Sequence, residues 1–493
     1  MVINGGGLNK MLQDKESSLV FLNEMSDVQD ILITNRIAED FIQNQYLKKD
    51  LSTKSVWVLG AGTIMAGPFI GWNRGLGEAG PLGMLAALII LSFCYFLFFL
   101  ISSKLSVLFP YIGGPYAYVR QGLGSFAAYW TGFLTCVEFM GGCAIVLAAF
   151  RNHLVLINSE YSTLFYLSIF ILLLINLLLF RASIMTFVHY SFTCCALGVL
   201  VIFLLGTSET VQSTNLLIAV PASIGWQGIL KALPFVSLFF IGLENMTMTA
   251  EEVRLPGRSM PKGLFLGFLT AVVISFSIWC FTVGSVNWQL LQASEFPLLF
   301  TLVNVQGQDK ILLSTFTVMS SVGFIAALQG FINGYSRQVY ALSRSGYFPS
   351  FLSKLHPKRK TYSFAILVPG VISLVLSYMV QIKLLIVVVF YSAVLVHLLV
   401  IISFIILRKS EPVFYSYRGI YYSFLLYLTV VVLTGILFTS IYYYVAGSWG
   451  IVIFSFTIIS LYYFLWGVKN IRQEAPEEAT ASLKMRRNQI RFL

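Results

Sequence analysis

Two carboxylates stand where a membrane-crossing chain tolerates them least. Glu244 follows an apolar run and a flexible glycine in PFVSLFFIGLENMTMTAEEVRLPGRSMP (residues 234–261), and Glu138 lies inside FLTCVEFMGG (133–142). An uncompensated charge at that depth costs several kcal/mol. Such a group must therefore meet a substrate amine, hydrogen-bond within a helix bundle, or carry a proton. The glycine matters as much as the acid. A helix interrupted at Ile241-Gly242 leaves N–H and C=O groups without intrahelical partners, and a polar solute can use them if they line a cavity. The alternative is a glycine that lets two helices pack closely, with Glu244 hydrogen-bonded inside the bundle. The interruption recurs in VWVLGAGTIMAGPFIGWNRGLG (56–77), where Ala66-Gly67-Pro68 falls near the middle. Pro68 removes an N–H and Gly67 accepts non-helical dihedrals, so this helix should break as well.

Other reactive patterns are weak. Gly75-Leu-Gly77-Glu-Ala-Gly80 fits GxGxxG, but it lies at the outer end of an apolar span without a βαβ unit and reads as a tight turn. The chain carries no phosphate-loop lysine motif, no HExxH and no GxSxG, so nothing supports an enzyme or a cofactor. His189 and His397 fall within spans and read as satisfied polar residues. Cys94, Cys136, Cys143, Cys194, Cys195 and Cys280 all sit in apolar runs with no metal-ligand spacing, which suits small buried residues rather than a disulfide framework.

The elements that must position these groups follow from composition. Of 493 residues, 57% are hydrophobic and 11% charged, with a mean hydropathy of +0.82, the signature of an all-α polytopic membrane protein. Residues 1–53 form a polar tail without a cleavable signal, in which Asp27 to Phe41 could lie on the membrane surface as an amphipathic helix. Apolar runs at about 55–77, 83–108, 125–150, 163–180, 184–206, 228–251, 263–286, 310–341, 362–381, 384–407, 420–446 and 448–468 predict twelve transmembrane helices. With both termini in the cytoplasm, only Arg74, Arg151, Lys231, Lys310 and Lys383 of the 32 basic residues face outward. That asymmetry accounts for the net charge of +11 better than nucleic-acid binding does.

Two interrupted spans, five apart and running in opposite directions, are the mark of two inverted five-helix repeats. The organisation is then a first repeat at 54–206, an outer loop at 207–227, a second repeat at 228–407, an accessory pair at 408–468 and a basic tail at 469–493. The substrate site lies between the two breaks. At the cytoplasmic mouth, Tyr116, Tyr118 and Arg120 follow the turn Pro110-Tyr-Ile-Gly-Gly-Pro115, and Arg337 and Arg344 end the eighth span. Bulky aromatics and arginines at this level serve either as a gate or as topology anchors.

These residues resemble the amino acid–polyamine–organocation transporter superfamily over most of 55–407. The specific pieces are AEEVRLP (250–256) with PKG (261–263), the Pro110–Tyr118 turn, and GYSRQVYALSRSGYFPSFLSKLHP (334–357). Phe69-Ile-Gly-Trp-Asn73, Glu138 and the 334–357 block look most like the ethanolamine-permease subgroup. The resemblance implies alternating access for an amino acid or small amine. Carried over by position, it implies a site of Ala66, Gly67 and Pro68 with Phe240, Ile241, Gly242 and Glu244. The subgroup usually has an acid where Pro68 stands. Some proton-coupled relatives carry a lysine in the fifth span, where this chain has Cys194-Cys195. Proton, sodium or exchange coupling all stay open.

The reading is thus a secondary transporter in the cytoplasmic membrane, whose partners are a small-molecule substrate and the bilayer, not nucleic acid. A transporter-like nutrient sensor and, less favoured, a channel are the alternatives.

Overall fold

The computed structural model describes residue 47 and residues 49–471, apart from 157–159, 161, 180–181, 219–224, 308–309, 358, 360, 411–419 and 446–448. The surface helix expected at 27–41 and the tail from 472 onward lie outside the described residues. Everything described is helix or connection, except one extended contact. There Leu51 N–H donates to the Glu252 carbonyl at 3.0 Å and Arg254 N–H donates to the Leu51 carbonyl at 3.1 Å.

Helix α1 (Thr53–Thr63) opens on a reciprocal cap. Ser52 Oγ accepts the Ser55 N–H at 3.4 Å, and Ser55 Oγ accepts the Ser52 N–H at 3.2 Å. The helix ends well before residue 77. Pro68 has no N–H for the Ile64 carbonyl, so residues Ile64–Phe69 tighten into a 3-10 segment, Ile70 is extended, and Gly71 turns at φ +56°. Helix α2 (Arg74–Leu108) then starts earlier than the apolar pattern suggests and reverses internally at Gly80, φ +66°, just before Pro81. The glycine-rich motif is therefore helical up to that one residue, rather than a turn throughout.

Short α3 (Pro115–Leu123) follows Gly113 and Gly114, both at positive φ. Next come α4 (Ser125–Val155), α5 (Ser162–Leu179) and α6 (Ala182–Thr207). Helix α7 (Gly225–Val236) runs into a 3-10 turn at Ser237–Phe239, breaks, and resumes as a 3-10 segment at Leu243–Glu252, bent by 43°. Gly242 sits at the bend with φ +93°, where a Cβ would be strained. Pro256 is the first residue of α8 (Pro256–Ser285), the position where a missing N–H costs nothing. The remainder is α9 (Pro297–Gln306), α10 (Lys310–Arg344), α11 (Ser363–Met379), α12 (Ile382–Ser410), α13 (Ile420–Val445) and α14 (Trp449–Tyr462).

Seven helices are long and apolar enough to cross a bilayer, and the bent pair at 225–252 makes an eighth, among the described residues. Their burial sorts them into an inner set and an outer one. The most apolar stretches of α4, α10 and α12 are 78%, 67% and 67% buried inside the protein, whereas those of α5 and α6 are only 33%. The outer faces carry Phe187, Leu205, Val431 and Phe438, large apolar side chains exposed in a way water would penalise and lipid would not. The two broken segments lie among the inner helices and pack on each other.

Candidate functional site

A cavity of about 20 Å³ lies between the two breaks, room for a water or two. Thr63, Ala66, Gly67 and Ile70 line it from the first break, Leu238 and Ile241 from the second, Gly142, Ile145 and Val146 from α4, and Phe331 from α10. Glycines let these elements touch. A Cβ on Gly67 would collide with the Leu238 carbonyl oxygen, so the two interrupted backbones are in direct contact. A Cβ on Gly142 would collide with the Phe331 ring, and one on Gly242 with Thr63 and that same ring. Phe331 therefore occupies the space that two missing side chains vacate, and its ring lines the cavity. Asn245 fastens the arrangement: its Nδ2 donates to the Leu59 carbonyl at 3.2 Å and to the Gly330 carbonyl at 3.0 Å, tying α1 and α10 to the second break.

The acids collect one helical turn away from Gly142, outside the cavity lining. Glu244 Oε1 is 2.6 Å from His397 Nε2, and Glu244 Oε2 accepts the Gly242 N–H at 3.1 Å. The second bond caps the amide freed by the break. His397 stacks on Phe98 with ring centroids 3.9 Å apart and meets Tyr95 edge-on at 4.7 Å; Tyr95 in turn stacks on Phe240 at 5.1 Å. Glu138 is fully buried beside Glu244 and Gly242.

A third layer closes the far end of the same segment. Glu251 receives two bonds from Arg344, Nη1 at 2.9 Å and Nη2 at 2.7 Å, and a third from the Ile112 N–H at 3.0 Å. Glu252 pairs with Arg337, Nε to Oε1 at 2.6 Å and Nη2 to Oε2 at 3.3 Å. Both are two-pronged guanidinium–carboxylate contacts, the geometry that suits Arg rather than Lys. Tyr116 donates to Ser345 Oγ at 2.6 Å and accepts from Arg120 Nη1 at 3.4 Å, while the Tyr118 carbonyl accepts Ser403 Oγ at 2.8 Å. All five arginines and tyrosines singled out in the sequence are buried here, in one network joining α3, α10 and the 243–252 segment.

The residues named from sequence thus divide. Ala66, Gly67 and Ile241 line the cavity, and Gly242 forms its edge. Phe240, Glu244 and Glu138 belong to the acid layer, and Pro68 contributes its carbonyl to the Trp72 indole N–H at 2.9 Å rather than a cavity surface. Five residues at the centre were given no site role from sequence: Asn245 as a bridge, His397 as the partner of Glu244, Phe331, and Glu251 and Glu252 as acceptors. For Glu251 and Glu252 a signal existed, since two adjacent acids and two buried arginines in one chain invite pairing.

Apolar outer helices around two broken inner ones, with a small cavity at the breaks and buried ion pairs along the 243–252 segment, are the arrangement of a multi-pass membrane transport protein. The chain belongs to the amino acid permease family of the amino acid–polyamine–organocation superfamily, whose sequence profile matches residues 51–468. It is 23% identical over 387 residues to the branched-chain amino acid permease BcaP of Bacillus subtilis, covering 74% of this chain and 82% of that protein. It is 25% identical to the amino-acid permease AapA of the same organism, covering 66% of this chain and 72% of AapA. An uncharacterized transporter of Rhizobium meliloti is 27% identical, covering 64% of this chain and 69% of its own.

Proposed function

We propose that this protein carries a neutral amino acid with a small apolar side chain across the plasma membrane by alternating access. The observation that carries the reading is the cavity between the two breaks. Its wall is Ile70, Ile145, Val146, Leu238, Ile241 and Phe331, and it contains no carboxylate or cation. Such a wall suits an aliphatic side chain, while helix ends at the breaks offer donors to the substrate carboxylate and carbonyls to its ammonium. A bare cation such as ethanolamine would gain little from it. The names of two relatives, a branched-chain amino acid permease and an amino-acid permease, agree with this class.

The twelve-span architecture remains our reading of the chain. The seven long helices and the bent pair supply eight spans; the broken first span, α11, α13 and α14 supply the other four. Two inverted repeats, 54–206 and 228–407, each open on one interrupted helix. Both termini are then cytoplasmic, and the Glu251–Arg344 and Glu252–Arg337 layer becomes a closed cytoplasmic gate, with Tyr116, Tyr118 and Arg120 packed around it. At 20 Å³ the cavity is too small for any amino acid, as expected of a carrier closed over an unfilled site.

Ligand-induced stabilisation of the detergent-purified protein tests the substrate class. A ligand present at a hundred times its Kd stabilises by about 2.7 kcal/mol, so its effect on the melting temperature is measurable. Valine, leucine, alanine, lysine, glutamate and ethanolamine would be compared. Stabilisation by the neutral aliphatic members is expected, and stabilisation by lysine or ethanolamine alone would overturn the assignment.

A further inference from the structure

A second hollow lies away from the breaks, where α1 and α6 begin. Its volume is about 310 Å³, far larger than the 20 Å³ between the breaks, and the two share no lining residue. Its walls differ in character. Asp50, Lys54 and Ser55 stand on the α1 side, and the rings of Phe187 and Tyr190 stand on the α6 side. Phe187 is 70% exposed and Tyr190 37%, on a helix whose most apolar stretch is only 33% buried. Rings so placed on a membrane-spanning helix face lipid. Tyr190 is held by Trp57, which meets it edge-on at 6.1 Å and donates its indole N–H to Thr270 at 3.0 Å. The charge around the hollow is unbalanced. Asp50 is turned to Arg254 at 3.7 Å, whereas Lys54 meets no acid among the described residues. Lys49, next to Asp50, is exposed as well. The start of α8 adds exposed Lys262, beside Gly263, which is packed so closely on α1 that a Cβ there would collide with Val56. Four bases therefore surround one acid that is already paired.

We propose that this hollow binds an anionic phospholipid, with the phosphodiester of its headgroup against Lys54 and an acyl chain laid over Phe187 and Tyr190. Excess positive charge beside lipid-facing rings suits an amphiphile whose head is an anion, and each base near an anionic headgroup adds to its retention. A zwitterionic lipid gains less, because Asp50, the one acid that could meet its ammonium, is occupied by Arg254. The hollow also touches the ion-pair layer. Leu51, part of its lining, donates its N–H to the Glu252 carbonyl and accepts the Arg254 N–H, and the Glu252 carboxylate holds Arg337. Bound lipid thus braces the extended contact that carries Glu252, and it should stabilise the protein in the form described here.

The full-length protein, purified in detergent, is titrated with dioleoyl phosphatidylglycerol or dioleoyl phosphatidylcholine. Bound lipid is counted by native mass spectrometry, and the melting temperature is followed in parallel. One phosphatidylglycerol should be retained in preference to phosphatidylcholine and should raise the melting temperature. Lys54→Gln, at an exposed position, should weaken that binding about fivefold, the worth of one base near an anionic headgroup. Thr186→Trp fills the hollow while keeping its charges, and should abolish the preference. Lys383→Gln, an exposed lysine outside the hollow, should leave binding unchanged. Equal affinity for the two lipids, or equal weakening by Lys383→Gln, overturns the proposal, since the attraction would then be unselective or spread over the surface. Displacement of the lipid by inorganic phosphate would assign the hollow to a soluble anion instead. Binding seen only after residues 1–46 are removed would make the chain's own N-terminal segment the occupant, and that too contradicts the proposal.

Discussion

Replacing Glu251 by Gln isolates the ion-pair layer as a gate. The substitution keeps the side-chain shape, but it removes the charge that accepts two Arg344 N–H bonds and the Ile112 N–H. The Arg344 side chain is wholly shielded from solvent and that of Glu251 nearly so, so screening by water does not dilute the effect. Leaving one member of a buried pair without its partner costs about 3–5 kcal/mol. If the pair exists only in the state closed to the cytoplasm, that cost moves the closed–open balance by about two to nearly four orders of magnitude. A single cysteine at Ala66, in a chain whose six native cysteines are replaced, would report the shift. Its labelling by an impermeant thiol reagent in inside-out vesicles should accelerate until the open state dominates. The Glu251→Gln/Arg344→Gln double variant should lie closer to wild type than Glu251→Gln does, since it strands no charge. An unchanged labelling rate alongside a lower melting temperature would show that the pair holds the fold in both states, and the gate reasoning would fail.

Two further outcomes follow from the same geometry. Gly242→Ala places a Cβ at φ +93° against Thr63 and Phe331, costing about 1–2 kcal/mol for the backbone alone, so both thermal stability and leucine counterflow should fall. Wild-type counterflow in that variant would remove the bend from the mechanism. For topology, a cysteine at exposed Ser213 should react with an impermeant reagent in intact cells and one at exposed Ser350 should not; the reverse pattern inverts the orientation.

Local chemistry made the breaks legible and long-range contact kept the rest hidden. Pro68 and Gly242 mark the interruptions because each acts on its own backbone, by a missing N–H or a missing Cβ. Even so, α1 stops at Thr63, since the proline acts on the carbonyl four residues earlier. His397 read as a bland polar residue because its partner Glu244 lies 153 positions away, on another helix. Phe331 carried no signal either. Its importance comes from Gly142 and Gly242, two glycines from different helices that happen to face one ring. The residues of the ion-pair layer were recognisable as a group by their aromatic and basic character, whereas the pairing of Glu251 with Arg344 rather than Arg337 required the three-dimensional register.

Counterflow in proteoliposomes tests the central claim most directly. Purified protein is reconstituted, vesicles are loaded with unlabelled leucine, and accumulation of external labelled leucine is followed with alanine, lysine and ethanolamine as competitors. A carrier that alternates around the two-break cavity should accumulate the label transiently, with competition by alanine and little by lysine or ethanolamine. Leucine that binds but never accumulates would make the protein a sensor built on a transporter frame, and flux without counterflow would make it a channel. Either result contradicts the account.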